Sequence, residues 1–213
     1  MEHFKNHTFI IASLPLVIDN HPYSIEFIKD GTSELLLSDH NSDVNLTMNA
    51  YISHLNDLSG RDLFSGLHNK EFMNQALATS IFDKKEIEVA FLDIDAFKAV
   101  NDTYGHLVGD EVIFYLSSLL LKLEMKEGYE VGRVGGDEFL AFGPKSTGLS
   151  EIIEAITKEF ASHPFSRDSE EFFVTVSMGL EASRKDDTVE SLLDRVDRKL
   201  YGVKEEKKKQ SIK

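Results

Sequence analysis

The chain has 213 residues, an apolar share of 41% and a formal net charge of −14, which suits one domain with a short extension or two small domains. Its acidity opposes binding to nucleic acid or to an anionic membrane, so an anionic ligand would need cations supplied at its site, as a metal or as placed lysines. Cysteine is absent, which excludes disulfides and thiolate metal sites.

In chain order, the apolar run from Phe9 to Ile18 comes first. It is shorter than the roughly 20 residues that span a bilayer, and it lacks a basic leader and a cleavage site, so a cytoplasmic protein without membrane insertion is expected. The segment Phe9 to Leu37 alternates apolar and polar residues imperfectly and is broken at Asn20-His21-Pro22. Two strands joined by a turn are predicted there. An isolated hairpin is marginal in water, so it should dock on the main domain or on a second copy. Asp43 to Leu58 carries Val44, Leu46, Met48, Ile52 and Leu55, a rough helical stripe. The expected division is a hairpin segment over 1–42, a linker helix over 43–60 and the main domain over 61–213.

Within the main domain, Lys70 to Phe82 reads as a helix with Phe72, Met73, Ala76, Leu77 and Ile81 inward. Glu88 to Ile94 is a continuous apolar run ending in acid, as expected of a buried central strand. A short helix through Phe97 and Val100 and a longer one over Asp110 to Met125 follow. Tyr129 to Phe142 has apolar stretches on either side of Gly135-Gly136, a hairpin with a tight turn. A helix over Leu149 to Phe160, a strand over Phe172 to Leu180, and a last helix capped by Thr188 complete the chain. This alternation predicts an α/β sandwich with helices packed on a central sheet.

Three acids stand where buried apolar sequence stops: Asp93, Asp95 and Asp137. If their strands are neighbours, Asp93 and Asp137 converge, and such an oxygen cluster suits Mg²⁺, which takes one or two carboxylates plus substrate phosphates. Gly135 and Gly136 offer positive φ and a close approach of a phosphate or sugar to the backbone. A plain hairpin turn with surface acids fits the same five residues. Asp62 and Arg133 read as a structural ion pair, His106 as a loop residue and Phe139 as core.

The stretch Asp93-Ile94-Asp95-Ala96-Phe97-Lys98-Ala99-Val100-Asn101-Asp102-Thr103-Tyr104-Gly105-His106-Leu107-Val108-Gly109-Asp110, with Gly132-Arg133-Val134-Gly135-Gly136-Asp137-Glu138-Phe139, resembles the GGDEF family, the diguanylate cyclases. Arg61 to Lys70 resembles the usual start of that domain, with Ser65 where Thr is commoner, and the resemblance extends to about Lys208. It implies an α+β, nucleotidyl-cyclase-like fold with a mainly antiparallel central sheet flanked by helices. It implies a homodimer that condenses two GTP into cyclic di-GMP with Mg²⁺ (or Mn²⁺) as cofactor. The resemblance assigns metal ligation to Asp93, the carbonyl of Ile94, and Asp137. Glu138 helps bind metal or activates the attacking hydroxyl. Asn101 and Asp110 read guanine, whose N1–H and exocyclic amine both suit a carboxylate acceptor. Lys98, Lys204 and Lys208 neutralise the triphosphate, and Gly135 and Gly136 underlie it. Taken alone, Asn101 fits a local cap and Asp110 the N-cap of its own helix equally well.

Beyond Ser65, the chain departs from the family pattern in two places. The inhibitory Arg-x-x-Asp found upstream of the turn in many members is replaced by Lys126 and Tyr129, which predicts weak feedback inhibition by product. The tail Lys204-Glu205-Glu206-Lys207-Lys208-Lys209 lacks the usual Gly and Asn. Tyr23 to Thr32 resembles the closing strand of a PAS sensor, although a whole PAS domain does not fit in the space available. The rival function is a domain that binds GTP or cyclic di-GMP without catalysis.

Overall fold

The computed structural model describes residues 9–18, 21–30, 60–167 and 170–211. The chain divides into two compact units, Met1–Leu58 and Ser59–Lys213. In the first, strands β1 (Phe9–Ile18) and β2 (His21–Asp30) form an antiparallel hairpin, with Phe9 opposite Asp30 and Ile18 opposite His21. The predicted linker helix lies, Gly60 apart, outside the described residues.

The second unit contains α1 (Lys70–Phe82), β3 (Ile87–Ile94), α2 (Phe97–Tyr104), α3 (His106–Glu124), β4 (Glu130–Arg133) and β5 (Glu138–Pro144). Then come α4 (Leu149–Ala161), a small hairpin of β6 (Phe165–Arg167) and β7 (Glu170–Phe172), β8 (Val176–Ala182) and α5 (Val189–Ser211). The main sheet is antiparallel throughout, in the order β4-β5-β3-β8.

β3 is apolar along its length because both its faces are covered. Ala90, Leu92 and Ile94 join the cluster formed with α3 and α4, while Ile87 and Val89 join the one formed with α1 and α5. Asp93 shares the parity of Val89, so it faces the side of α1 and α5. α1 starts at Asn69, whose side chain accepts the Phe72 N–H at 2.9 Å. α5 starts at Thr188, whose hydroxyl accepts the Ser191 N–H at 3.1 Å.

Three boundaries differ from the sequence reading. α3 begins at His106, so His106 is helical and Asp110 lies inside the helix instead of capping it. Gly105, at φ +88°, makes the break between α2 and α3 that the apolar pattern does not mark. The run of β-formers at Phe172 is split: Phe172 ends β7 and stacks on Tyr104 at 3.9 Å, Phe173 is exposed, and the sheet strand starts only at Val176.

Candidate active site

The site is built where β3 and β5 end side by side. Asp93 lies opposite Glu138 in the antiparallel register, and the Ile94 N–H donates to the Asp137 carbonyl at 3.2 Å. The expected convergence of Asp93 and Asp137 therefore follows from adjacent strands. The turn between β4 and β5 is fixed from below. Arg133 donates through Nη2 and Nε to the Gly136 carbonyl at 2.7 and 3.2 Å, and its Nη1 meets Asp62 at 3.2 Å. The same guanidinium lies 5.0 Å from the centre of the Phe64 ring. The Asp62–Arg133 pair thus ties the start of the domain to the turn, as the sequence predicts.

The glycines of the turn work differently from expectation. Positive φ occurs at Gly60, Gly66, Gly105, Gly128 and Gly148 among the described glycines, and at neither Gly135 nor Gly136. A Cβ on Gly135 would stand 2.3 Å from Glu138 Oε2, the free end of an exposed side chain, so Glu138 would have to turn aside to admit it. A Cβ on Gly136 would meet nothing within 4 Å, so the space above that residue is open. Asp137 is half-buried and Glu138 exposed.

Asp93 is buried, at 7% exposure. Burial pushes its carboxyl above the usual carboxylate range, and the charges of Asp137 and Asp95 push the same way against the opposing pull of Lys204. Lys204 Nζ stands 2.6 Å from Asp93 Oδ2. Burial also acts on Asp95, but hydrogen bonds from Lys207, Ser177 and Thr175 outweigh it and hold this carboxyl below its ordinary value. Lys207 Nζ lies 2.5 Å from Asp95 Oδ2 and 3.0 Å from the Val176 carbonyl. Two neighbouring acids are therefore in opposite states: Asp93 is crowded by negative charge and held by a single lysine, whereas Asp95 is fully engaged in structure.

Among the described residues no group of three or more carboxylate or imidazole ligands forms a preassembled cage. The donor set suits a metal that arrives with its substrate, since Mg²⁺ is commonly held by one or two carboxylates plus phosphates and water. A crowded, buried Asp93 already carrying a cation is the group such an ion would satisfy.

The remaining predicted residues lie on α2, α3 and α5. Lys98 is exposed on α2 and Asn101, on the same helix, is half-buried. Asn101 lies against α3 at Gly109, where a Cβ would come within 2.0 Å of its Oδ1. The half-buried Asp110 is the next residue of α3. Lys208 is exposed and pairs within its own helix with Glu205 at 3.3 Å. Sequence reasoning singled out Asp95 but missed Lys207 and the pairing between them. The available signal was spacing: Lys204 and Lys207 share a helical face, as Asp93 and Asp95 share a strand face. Upstream, Tyr129 is buried and donates its hydroxyl to the Thr147 carbonyl at 2.9 Å, so it is a core residue at the position of the inhibitory Asp.

Comparison with known proteins agrees with this arrangement. Residues 59–210 match the family described as diguanylate cyclase, GGDEF domain. The chain is 32% identical over 165 residues to diguanylate cyclase DgcP of Pseudomonas aeruginosa, covering 73% of this chain and 24% of that protein. It is 32% identical over 152 residues to diguanylate cyclase VdcA of Vibrio cholerae, covering 67% of this chain and 43% of that one. The chain thus spans less than half the length of either relative. The crystal structure of the GGDEF domain of DgcB from Caulobacter crescentus, in complex with c-di-GMP, superimposes with a TM-score of 0.63 at 29% identity, covering 69% of this chain and 88% of that one. With a matched segment that runs from the start of the domain through the turn to the last helix, this chain belongs to the GGDEF, diguanylate cyclase family.

Proposed function

We propose that the protein is an active diguanylate cyclase, condensing two GTP into cyclic di-GMP and two pyrophosphates. The observation that carries this reading is the pairing of β3 with β5, which sets a buried, charge-crowded Asp93 beside the Asp137-Glu138 turn. Asp93, the Ile94 carbonyl and Asp137 would hold Mg²⁺, with Mn²⁺ as a substitute. The metal, when bound, acidifies the attacking hydroxyl and neutralises charge on the phosphates. Asn101 and Asp110 accept from and orient guanine. Lys98, Lys204 and Lys208 meet the triphosphate, Lys204 by giving up its pair with Asp93 as the nucleotide arrives. Glu138 takes the proton of the 3′-hydroxyl as that oxygen attacks the α-phosphorus of the facing GTP and the bond to pyrophosphate breaks. The same exchange in the other direction closes the ring. Positioning and charge neutralisation supply most of the rate, as is general for transfers at phosphorus.

Each domain offers one guanine site and one acidic turn, so the active species is a homodimer of facing half-sites. The reading is supported by the presence of every residue that the family resemblance assigns to guanine, metal and the first phosphate contacts. Its rival is a GTP-binding or cyclic di-GMP-binding module. Incubation of purified protein with GTP and Mg²⁺ followed by nucleotide chromatography separates the two. The expected result is cyclic di-GMP from wild type and none from a folded Asp137→Ala variant. GTP bound but unchanged would favour the rival.

A further inference from the structure

We propose that Lys207 is a positioning residue of the nucleotide site, holding the last turns of α5 on the sheet so that Lys204 stays over the site when its own pair opens. This role rests on the function proposed above. Lys204 and Lys207 are three apart on α5 and so share a face. They meet Asp93 and Asp95, two apart at the end of β3, at 2.6 and 2.5 Å. The helix and the strand end are thereby joined by two consecutive ionic rungs.

The two rungs have different fates. Asp93 and Lys204 both take on new partners when a nucleotide and its metal arrive, so the first rung is exchanged. Asp95 receives the hydroxyls of Thr175 and Ser177 as well as Lys207, and Lys207 also donates to the Val176 carbonyl. None of Asp95, Lys207, Thr175, Val176 and Ser177 is among the residues assigned to nucleotide or metal, so the second rung has no partner to exchange and persists. It is needed because apolar anchoring stops early: Leu200 is the last buried apolar side chain of α5 among the described residues. Among those residues only Val203 beyond it is apolar and half-buried, and a helix end held mainly by polar contacts frays readily. A frayed end lowers the fraction of molecules with Lys204 in place, and the apparent affinity falls with that fraction.

The test is equilibrium binding of GTP carrying a methylene bridge between its α- and β-phosphates, with Mg²⁺, by calorimetry on the full chain. This probe blocks turnover, so binding is read without activity. Lys207→Met is expected to weaken binding about fivefold, the size of a partly exposed ion pair. Lys207→Arg, which keeps the pair, should restore most of the loss. In a Lys204→Met background the Lys207→Met change should cost clearly less than it does in wild type, because Lys207 acts chiefly through Lys204 and only the exposed Lys208 is then left to be displaced. Hydrogen exchange on the nucleotide-free protein should show faster exchange over 203–211 in Lys207→Met and protection in Lys207→Arg. Unchanged affinity in Lys207→Met, or full additivity with Lys204→Met, would overturn the positioning role while leaving the proposed function intact. Wild-type protein that fails to bind the probe would overturn the proposed function, and the role with it.

Discussion

At the scale of single residues, charge decides most of the site. Asp93 is kept buried beside two other acids, an arrangement that costs stability and is relieved by a cation. Asp93→Asn should therefore leave folding intact or improve it, while lowering turnover by at least about a hundredfold, the scale of losing one electrostatic contact in a transition state. A variant with normal activity would remove Asp93 from the metal site. Asp110→Asn exchanges an acceptor for a group that also donates, and should weaken GTP binding by about tenfold, measured as a dissociation constant. A different acid serves stability alone. Asp187 receives Arg195 through Nη1 and Nη2 at 2.6 and 2.7 Å and the Arg184 N–H at 2.7 Å. The Arg195 hydrogen bond, foremost, holds this carboxyl well below the usual carboxylate range. A carboxyl depressed in the folded state stabilises above its unfolded value, near 3.9, and loses that contribution as pH falls toward the folded value. Asp187→Asn should cost about 3 kcal/mol in urea unfolding at neutral pH, and its gap to wild type should narrow at roughly pH 3. An equal gap at both pH values would contradict the assignment.

At the scale of elements, the site depends on how closely α5 lies on β8. A Cβ on Gly179 would stand 2.3 Å from the Val196 carbonyl oxygen and 2.5 Å from the Leu200 N. Both atoms are backbone and cannot rotate away, so Gly179→Ala should push the helix outward and cost about 3 kcal/mol by thermal or urea unfolding. It should also displace the two lysine rungs, so that nucleotide affinity falls with stability. Elements of this kind were legible where one residue type dominates. α1 was bounded correctly because Asn69 caps it and its apolar stripe is regular. β3 was legible because both its faces are buried, which leaves a run without alternation. The boundaries that failed were set by contacts distant in sequence. Asp110 has the chemistry of an N-cap, yet Gly105 and the packing of Asn101 on Gly109 carry α3 four residues further back. Phe172 and Val176 are equal β-formers, but stacking on Tyr104 assigns the first to a separate hairpin. In the site, Asp93 and Asp137 were visible as acids at strand ends. Lys207 was not, because its partner Asp95 is 112 residues away.

At the scale of the whole molecule, the proposed half-site makes two demands. The first concerns product. Tyr129 is committed to the core, and Lys126 is exposed and lacks the guanidinium fork, so this surface offers little to cyclic di-GMP. A product titration should show at most weak inhibition, with a midpoint unchanged in Lys126→Ala; tight inhibition lost in that variant would refute the expectation. The second concerns assembly. On the proposed function each chain has one guanine site, so turnover would need two chains facing each other. Specific activity should therefore rise with protein concentration until dimers saturate. The central claim is tested most directly by following pyrophosphate and cyclic di-GMP together from GTP and Mg²⁺ across a range of protein concentrations. The predicted result is about two pyrophosphates per cyclic di-GMP, as two condensations require, with specific activity that climbs with concentration and vanishes in a folded Asp137→Ala variant. GTP that remains bound and intact at every concentration would contradict it.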